Sequence, residues 1–340
     1  MKMSPLRLLA MSAAALVASV SLVGCGSSGS VSPATPSSGL LPAAEGKTAY
    51  PLTLKAPWGE SVLGKRPERV AVVGYTNDAE NTMVLGVTPV WADKEQTGYP
   101  WVPAAQAKKI ERLGELGDTF PFEDIAAARP DLIIAIQTDP GQLRDSYQRL
   151  SSIAPVLTTE APSFDLPWES VVRTIGSTLD LADRANQVVT GVQKKISDTA
   201  KAHPEYKGKS VTFLLLVPGR GFWTYRSFAG SANATIMQNL GFTLPAAASK
   251  FTRDNLIISA ENYGLLDADV LLIAAPKKEL ESILQVPTFA DLPVVVEKRY
   301  ELLDLDTEAN IGVAISWPTA LNVPWFIDRI QPALTAAATK

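Results

Sequence analysis

Two kinds of apolar pattern take turns along this chain. Short β-branched runs such as Arg69-Val70-Ala71-Val72-Val73 lack polar alternation, as expected of strands buried on both faces, and the segments after them carry apolar residues at helical spacing. A helix-forming stretch at residues 78–85 stops at Gly86 and is followed by a short strand at 88–91. A helix at 121–128 leads through Pro130-Asp131 into a strand at 132–136, and a helix at 146–153 precedes Pro155-Val156-Leu157. Ahead of these, Leu52-Thr53-Leu54 and Ser61-Val62-Leu63 flank Pro57-Trp58-Gly59-Glu60, the layout of a hairpin. Strands alternating with helices predict a parallel α/β sheet.

The period then changes. Residues 168–179 and 181–203 are both helical, and in the second stretch Leu181, Ala185, Val188, Val189, Val192 and Ile196 fall on one stripe. Asp180 can cap its start and His203-Pro204 ends it; about 22 residues at 1.5 Å each reach roughly 33 Å, the width of a small domain. A second α/β pattern follows, with strands at 211–217, 270–274 and 299–303, a helix at 232–240 stopped by Gly241, and a closing helix at 325–338. The expected fold is α/β, with an N-terminal lobe at 49–179, one long connecting helix at 180–206 and a C-terminal lobe at 207–340.

The N-terminus reads differently. Lys2 and Arg7 precede an apolar segment from 8 to 23, and Leu22-Val23-Gly24-Cys25 closes it, so residues 1–24 have the layout of an export signal. The apolar run of about 16 residues falls short of the roughly 20 a spanning helix needs. Leu-Val-Gly-Cys resembles a bacterial lipobox, which implies a lipid, palmitate included, on Cys25; a plain signal with a chance cysteine is the alternative. Residues 25–48, rich in Gly, Ser, Pro, Ala and Thr, read as a flexible tether. Cys25 is the sole cysteine and His203 the sole histidine, so no disulfide and no site of several His or Cys ligands is expected, and a Ser-His-Asp enzyme would have to use a histidine far from either strand-end surface. With 46% hydrophobic residues a full core is available, and a net charge of −4 gives no reason to expect nucleic acid as a partner.

Several stretches carry a family resemblance in order: Arg66-Pro67-Glu68-Arg69-Val70, Gly74-Tyr75-Thr76-Asn77-Asp78, Leu85-Gly86-Val87-Thr88-Pro89-Val90, Tyr99-Pro100-Trp101, and Phe122-Glu123-Asp124-Ile125 leading into Arg129-Pro130-Asp131-Leu132. In the second half they are Asn239-Leu240-Gly241-Phe242, Ile258-Ser259-Ala260-Glu261 and Asp267-Ala268-Asp269-Val270. The chain resembles the class III substrate-binding proteins of ABC importers, specifically the iron-siderophore lipoproteins of Gram-positive bacteria. The resemblance implies two Rossmann-like lobes around a ligand cleft, and a monomeric receptor lipid-anchored to the outer face of the cytoplasmic membrane. It also implies no resident cofactor or metal, iron entering only within a ferric siderophore. One glutamate on each lobe, here Glu123 and Glu261, would dock on an ABC permease; as carboxylates opening helices, both also suit the helix dipole. Heme and cobalamin are the alternative cargoes of such a fold, with Tyr75, Tyr99 or Tyr225 as a possible axial ligand to heme iron.

Open α/β sheets bind ligands outside the carboxyl ends of their strands, which makes the residues just after each strand the candidates. These are Tyr75, Asn77 and Asp78, then Trp91, Asp93, Tyr99 and Trp101, then Arg220, Trp223, Tyr225 and Arg226 in the loop at 218–227, and Asn310, Ser316 and Trp317 near the end. Aromatic faces can cover a large, partly apolar complex and arginine forks can hold its metal-bound oxygens. Trp223 and Tyr225 would point the same way in an extended loop. The competing role for any of these aromatics is a packing anchor. A long packed helix is a poor hinge, so limited lobe closure is expected.

Overall fold

The computed structural model describes residues 39–340 except 75, 76, 164, 165, 218 and 309. The export signal, Cys25, Tyr75 and most of the tether therefore lie outside the described residues. A hairpin of β1 (Leu52–Ala56) and β2 (Gly59–Leu63) opens the fold. The first lobe then runs through β3 (Val70–Val72), α1 (Asp78–Met83), β4 (Trp91–Asp93), α2 (Ala104–Ala107), β5 (Arg112–Gly114), α3 (Phe122–Ala127), β6 (Leu132–Ile134), α4 (Pro140–Ser151) and β7 (Val156–Leu157). Its five strands are all parallel, in the order β5-β4-β3-β6-β7. Helix α5 (Trp168–Thr178) and helix α6 (Ala182–Ala202) lead to the second lobe.

There β8 (Val211–Leu216), β9 (Trp223–Tyr225), α7 (Ala232–Asn239), β10 (Ile257–Ile258), β11 (Val270–Ala275), α8 (Lys277–Ile283), α9 (Pro287–Ala290), α10 (Pro293–Val296), β12 (Tyr300–Asp304), α11 (Ile311–Ser316) and α12 (Asn322–Ala338) follow. The second sheet has the order β10-β9-β8-β11-β12, parallel except where β9 pairs antiparallel with β8 and β10. Each sheet starts at its centre, steps to one side and then to the other. The strand order reverses beside β3 and beside β8, and such a reversal opens a crevice at the carboxyl ends.

Successive strand residues face opposite sides, and the two faces fill different cores. Val70, Val72, Leu132 and Ile134 of the first sheet join Val211, Phe213, Leu215, Val270 and Leu272 of the second in one apolar cluster, together with Ala185, Val189, Val192 and Ile196 of α6. Each buried Val or Ile on that stripe contributes roughly 1.5–3 kcal/mol. The cluster is continuous from lobe to lobe, with α12 adding Val323, Phe326, Ile327 and Ile330. The outer faces fill separate clusters, around Ala71, Ile133 and Val156 in one lobe and Leu214, Leu271 and Ile273 in the other.

Five expectations need correction. The tether does not extend to residue 48: Leu41 is in the core, Glu45 accepts hydrogen bonds from the Asp183 and Arg184 amides at 2.7 and 2.9 Å, and Asp180 accepts from the amides of Gly46, Lys47 and Thr48. Burial works against the Asp180 charge, yet these three amides hold its pKa below the usual range. Asp180 does not cap α6 itself; it turns the chain at φ 56° and binds the incoming segment. The loop expected at 218–227 contains strand β9. The helix expected at 146–153 begins at Pro140, where the Asp139 carboxylate accepts from the Gln142 amide at 2.7 Å. The strand expected at 88–91 starts, rather than ends, near Trp91.

Candidate functional site

At the first reversal point the carboxyl ends of β3 and β6 are tied together by Asp78. Its carboxylate accepts from the Ile136 and Gln137 amides at 2.6 and 3.1 Å. Burial pushes its pKa up to about 6, with the two amides pulling it back. Only glycine fits at position 74 beneath it, since a Cβ there would meet Asp78 Oδ2 at 1.8 Å. Next to Asp78 on α1, Asn77, Glu80 and Asn81 are also fully buried. All three reach the second lobe. Asn77 donates to the Trp317 carbonyl at 2.5 Å, Glu80 accepts from the Thr319 hydroxyl at 2.5 Å, and Asn81 accepts from the Ala320 amide at 3.4 Å. Asn322 secures the other side, donating to the Trp317 carbonyl and accepting from the Thr319 amide. A polar clasp thus joins the lobes behind the cleft.

In front of the clasp lies a narrow recess with walls from both lobes. Gln137 and Leu166 come from the first; Arg226, Arg253, Asn233 and Trp317 come from the second. The Arg226 guanidinium bonds the Ser316 hydroxyl, and Trp317 is partly exposed. Asn233 sits in the first turn of α7, which Ser231 caps by accepting from the Ala234 amide at 3.1 Å. A second, open hollow nearby is lined by Asp93, Glu95, Tyr99, Glu115 and Asn310. A larger groove of about 600 Å³ along α6, lined by Gln193, Ile196, Lys201, His203, Lys207 and Asn239, lies away from the carboxyl ends of the strands. Among the described residues no cluster of His, Cys, Asp and Glu could hold a metal ion.

The sequence candidates divide. Arg226 and Trp317 line the recess together. Arg220 is exposed at the turn before β9, and the pairing of Trp223 with Leu216 sets Trp223, half-buried, at the carboxyl end of β8. Asn77 is at the cleft's floor but spends its amide on the clasp. Three other aromatics belong to the interior. Trp91, fully buried because the strand begins there, donates its indole N–H to Asp124 at 2.7 Å. Tyr225 does share a face with Trp223, but that face is the core: its ring stacks on Phe251 at 4.1 Å, and burial pushes the phenol up to about 12. Trp101, 8% exposed, packs between Tyr99 and Trp325 with ring centres 4.9 and 4.8 Å away. Glu123 and Glu261 are exposed on opposite lobes, Glu123 paired with Arg149 at 2.5 Å. Arg253 and Asn233 were missed. The Gly230-Ser231 pair ahead of α7 was a legible helix start; nothing local marks Arg253.

A family model described as periplasmic binding protein matches residues 70–305. The ferric enterobactin-binding periplasmic protein FepB of Escherichia coli is 25% identical over 280 residues, 76% of this chain and 85% of that protein. The probable siderophore-binding lipoprotein YfiY of Bacillus subtilis is 28% identical over 231 residues, 64% of this chain and 67% of that protein. Among solved structures, PiaA of Streptococcus pneumoniae in complex with ferrichrome superposes with a TM-score of 0.67 at 22% identity, covering 84% of this chain and 98% of PiaA.

Proposed function

The chain belongs to the periplasmic binding protein family, and from that premise we propose that it captures a ferric siderophore between its lobes and delivers it to an ABC permease for iron uptake. The observation that carries the proposal is the recess walled by both lobes, where Arg226, Arg253 and Trp317 of the second lobe meet Gln137 and Leu166 of the first. Aromatic surface and guanidinium forks suit a bulky iron complex with exposed oxygens. FepB is described as binding ferric enterobactin and YfiY as siderophore-binding, which supports the same reading for this chain. Arg220, Trp223, Arg226, Arg253 and Trp317 are the proposed contacts, with Tyr75 retained from the sequence. Iron is cargo, and no bond of the ligand is made or broken.

Lipidation of Cys25 would tether the receptor at the membrane face and raise its effective concentration at the permease. Glu123 and Glu261, one exposed carboxylate per lobe, would engage basic side chains of that permease from a monomeric receptor. Heme is less well supported, because Tyr225 is sealed in the core and Tyr99 donates to Glu95 at 3.2 Å. Titration of tryptophan fluorescence with iron-loaded siderophores, heme and a corrinoid tests the reading. Saturable quenching by a ferric siderophore supports it; a Soret band with no siderophore response would replace it with heme.

A further inference from the structure

We propose that the clasp behind the cleft sets the two walls of the recess for the cargo, and that it does so only while Glu80 carries its proton, so that ionisation of Glu80 weakens binding. Asn77, Glu80 and Asn81 are then positioning residues, acting on the ligand through the walls they hold. This rests on the siderophore reading above and adds how that site is held and released.

Each wall of the recess is bonded directly to the clasp. On the first-lobe side, Asn81 donates to the side-chain oxygen of Gln137 at 3.1 Å, and Gln137 lines the recess. On the second-lobe side, Asn77 and Asn322 both donate to the Trp317 carbonyl, at 2.5 and 2.9 Å, and Trp317 lines the recess too. Glu80 lies on α1 between Asn77 and Asn81 and accepts from the Thr319 hydroxyl, two residues beyond Trp317. The same hydroxyl accepts from the Asn322 amide at 3.0 Å. A shift of α1 against residues 317–322 therefore moves one wall of the recess against the other.

The surroundings of Glu80 call for the neutral acid. It is fully buried, and the groups that act on it are the Thr319 hydroxyl and the Trp101 indole, with no lysine or arginine among them. Neither Glu80 Oε1 nor the Trp101 indole nitrogen makes a hydrogen bond of ordinary geometry, so a carboxylate would have one oxygen satisfied and one not. The titratable groups nearest to it are Asp78 on the same helix, held by the Ile136 and Gln137 amides, and Tyr99. Burial pushes the Tyr99 phenol up, and Glu95, Glu80 and Asp93 add to it. Helix α5, packed on α1, carries Glu169 and Arg173, neither of which acts on Glu80, and residues 317–322 contribute no titratable group. The charges close by are thus negative, and none favours ionisation. Once ionised, Glu80 must be hydrated, and because it is sealed between the lobes, hydration parts α1 from residues 317–322.

The test uses the mature protein and two iron(III) complexes, a tris-hydroxamate and a tris-catecholate. Dissociation constants are measured between about pH 6.5 and 9 for the wild type, E80Q and E80A, with thermal melting at each pH to establish that each variant is folded. Burial keeps Glu80 protonated up to about pH 8. With only the protonated form competent, wild-type affinity should fall about 2-fold by pH 8 and about 10-fold one unit higher. E80Q, which cannot ionise and keeps an acceptor for Thr319, should flatten that profile, whereas E80A should bind more weakly throughout. Hydrogen exchange of the Ala320 amide, which donates to Asn81, reads the clasp without ligand. Corrected for intrinsic base catalysis, it should quicken over the same interval in the wild type and not in E80Q. A pH profile of binding as steep in E80Q as in the wild type, or flat in both, overturns the proposal and leaves the receptor reading standing. Binding of neither complex at any pH defeats the receptor reading itself.

Discussion

Glu80 is the buried group whose removal tells most about how the lobes are joined. Its carboxylate, fully buried on α1, meets the Thr319 hydroxyl of the other lobe. Burial lifts its pKa from 4.5 to about 8, with the Thr319 hydroxyl and the Trp101 indole pulling the other way. The folded protein therefore keeps this proton up to pH 8, whereas the unfolded chain releases it near 4.5. Stability from this group is fully present below pH 4.5 and is lost as pH rises towards 8. At about 1.4 kcal/mol per pH unit the full window is worth on the order of 4–5 kcal/mol. Asp78 acts in the same direction only up to about pH 6, so the interval from 6.5 to 8.5 isolates Glu80 at about 2 kcal/mol. Urea unfolding at those two pH values should show the wild-type midpoint falling by several tenths molar or more. E80Q, which fills the same space and cannot ionise, should remove most of that fall and be more stable than wild type at pH 8.5. A pH slope in E80Q equal to that of wild type across the interval would refute the account of the clasp.

Other consequences can be read out in parallel. G74A should cost roughly 2–4 kcal/mol in unfolding free energy, because the added methyl would push Asp78 off the Ile136 and Gln137 amides. D180A, by orphaning three amides of the 46–48 segment, should destabilise by about 2–4 kcal/mol and free that segment for limited proteolysis. W91F should lower stability by about 1–2 kcal/mol through loss of the bond to Asp124, with ligand affinity unchanged in a fluorescence titration; a weakened affinity would return Trp91 to the site. Reversing both Glu123 and Glu261 to lysine should abolish iron uptake by cells while leaving the dissociation constant of the isolated protein intact.

The architecture was legible because β-branched runs and helical stripes are local signals. The strand at 70–72, the stripe of Ala185, Val189, Val192 and Ile196, and the strands at 211 and 270 all fell where periodicity put them. The site was legible only in part. An aromatic after a strand reads the same whether it faces a ligand or a core, and a shift of three residues in where the strand at 91 begins moved Trp91 from cleft to interior. For Tyr225 the alternation was correct but did not say which face of the sheet was the outer one. The clasp was invisible for a different reason: Asn77, Glu80 and Asn81 meet Trp317, Thr319 and Ala320 across some 240 residues, a pairing no local pattern encodes. That contact, with the apolar cluster shared by both sheets, adds to the argument from the long helix that the lobes move little.

An iron complex is expected to sit between the two lobes, at the recess lined by Arg226, Arg253 and Trp317. Crystals of the protein grown with a ferric siderophore, with iron located by its anomalous scattering, test it most directly. The account predicts a single iron peak in the recess, with ligand oxygens on Arg226 and Arg253 and the complex resting against Trp317. An iron peak in the groove beside α6, or a ligand bound with neither arginine in contact, would contradict it.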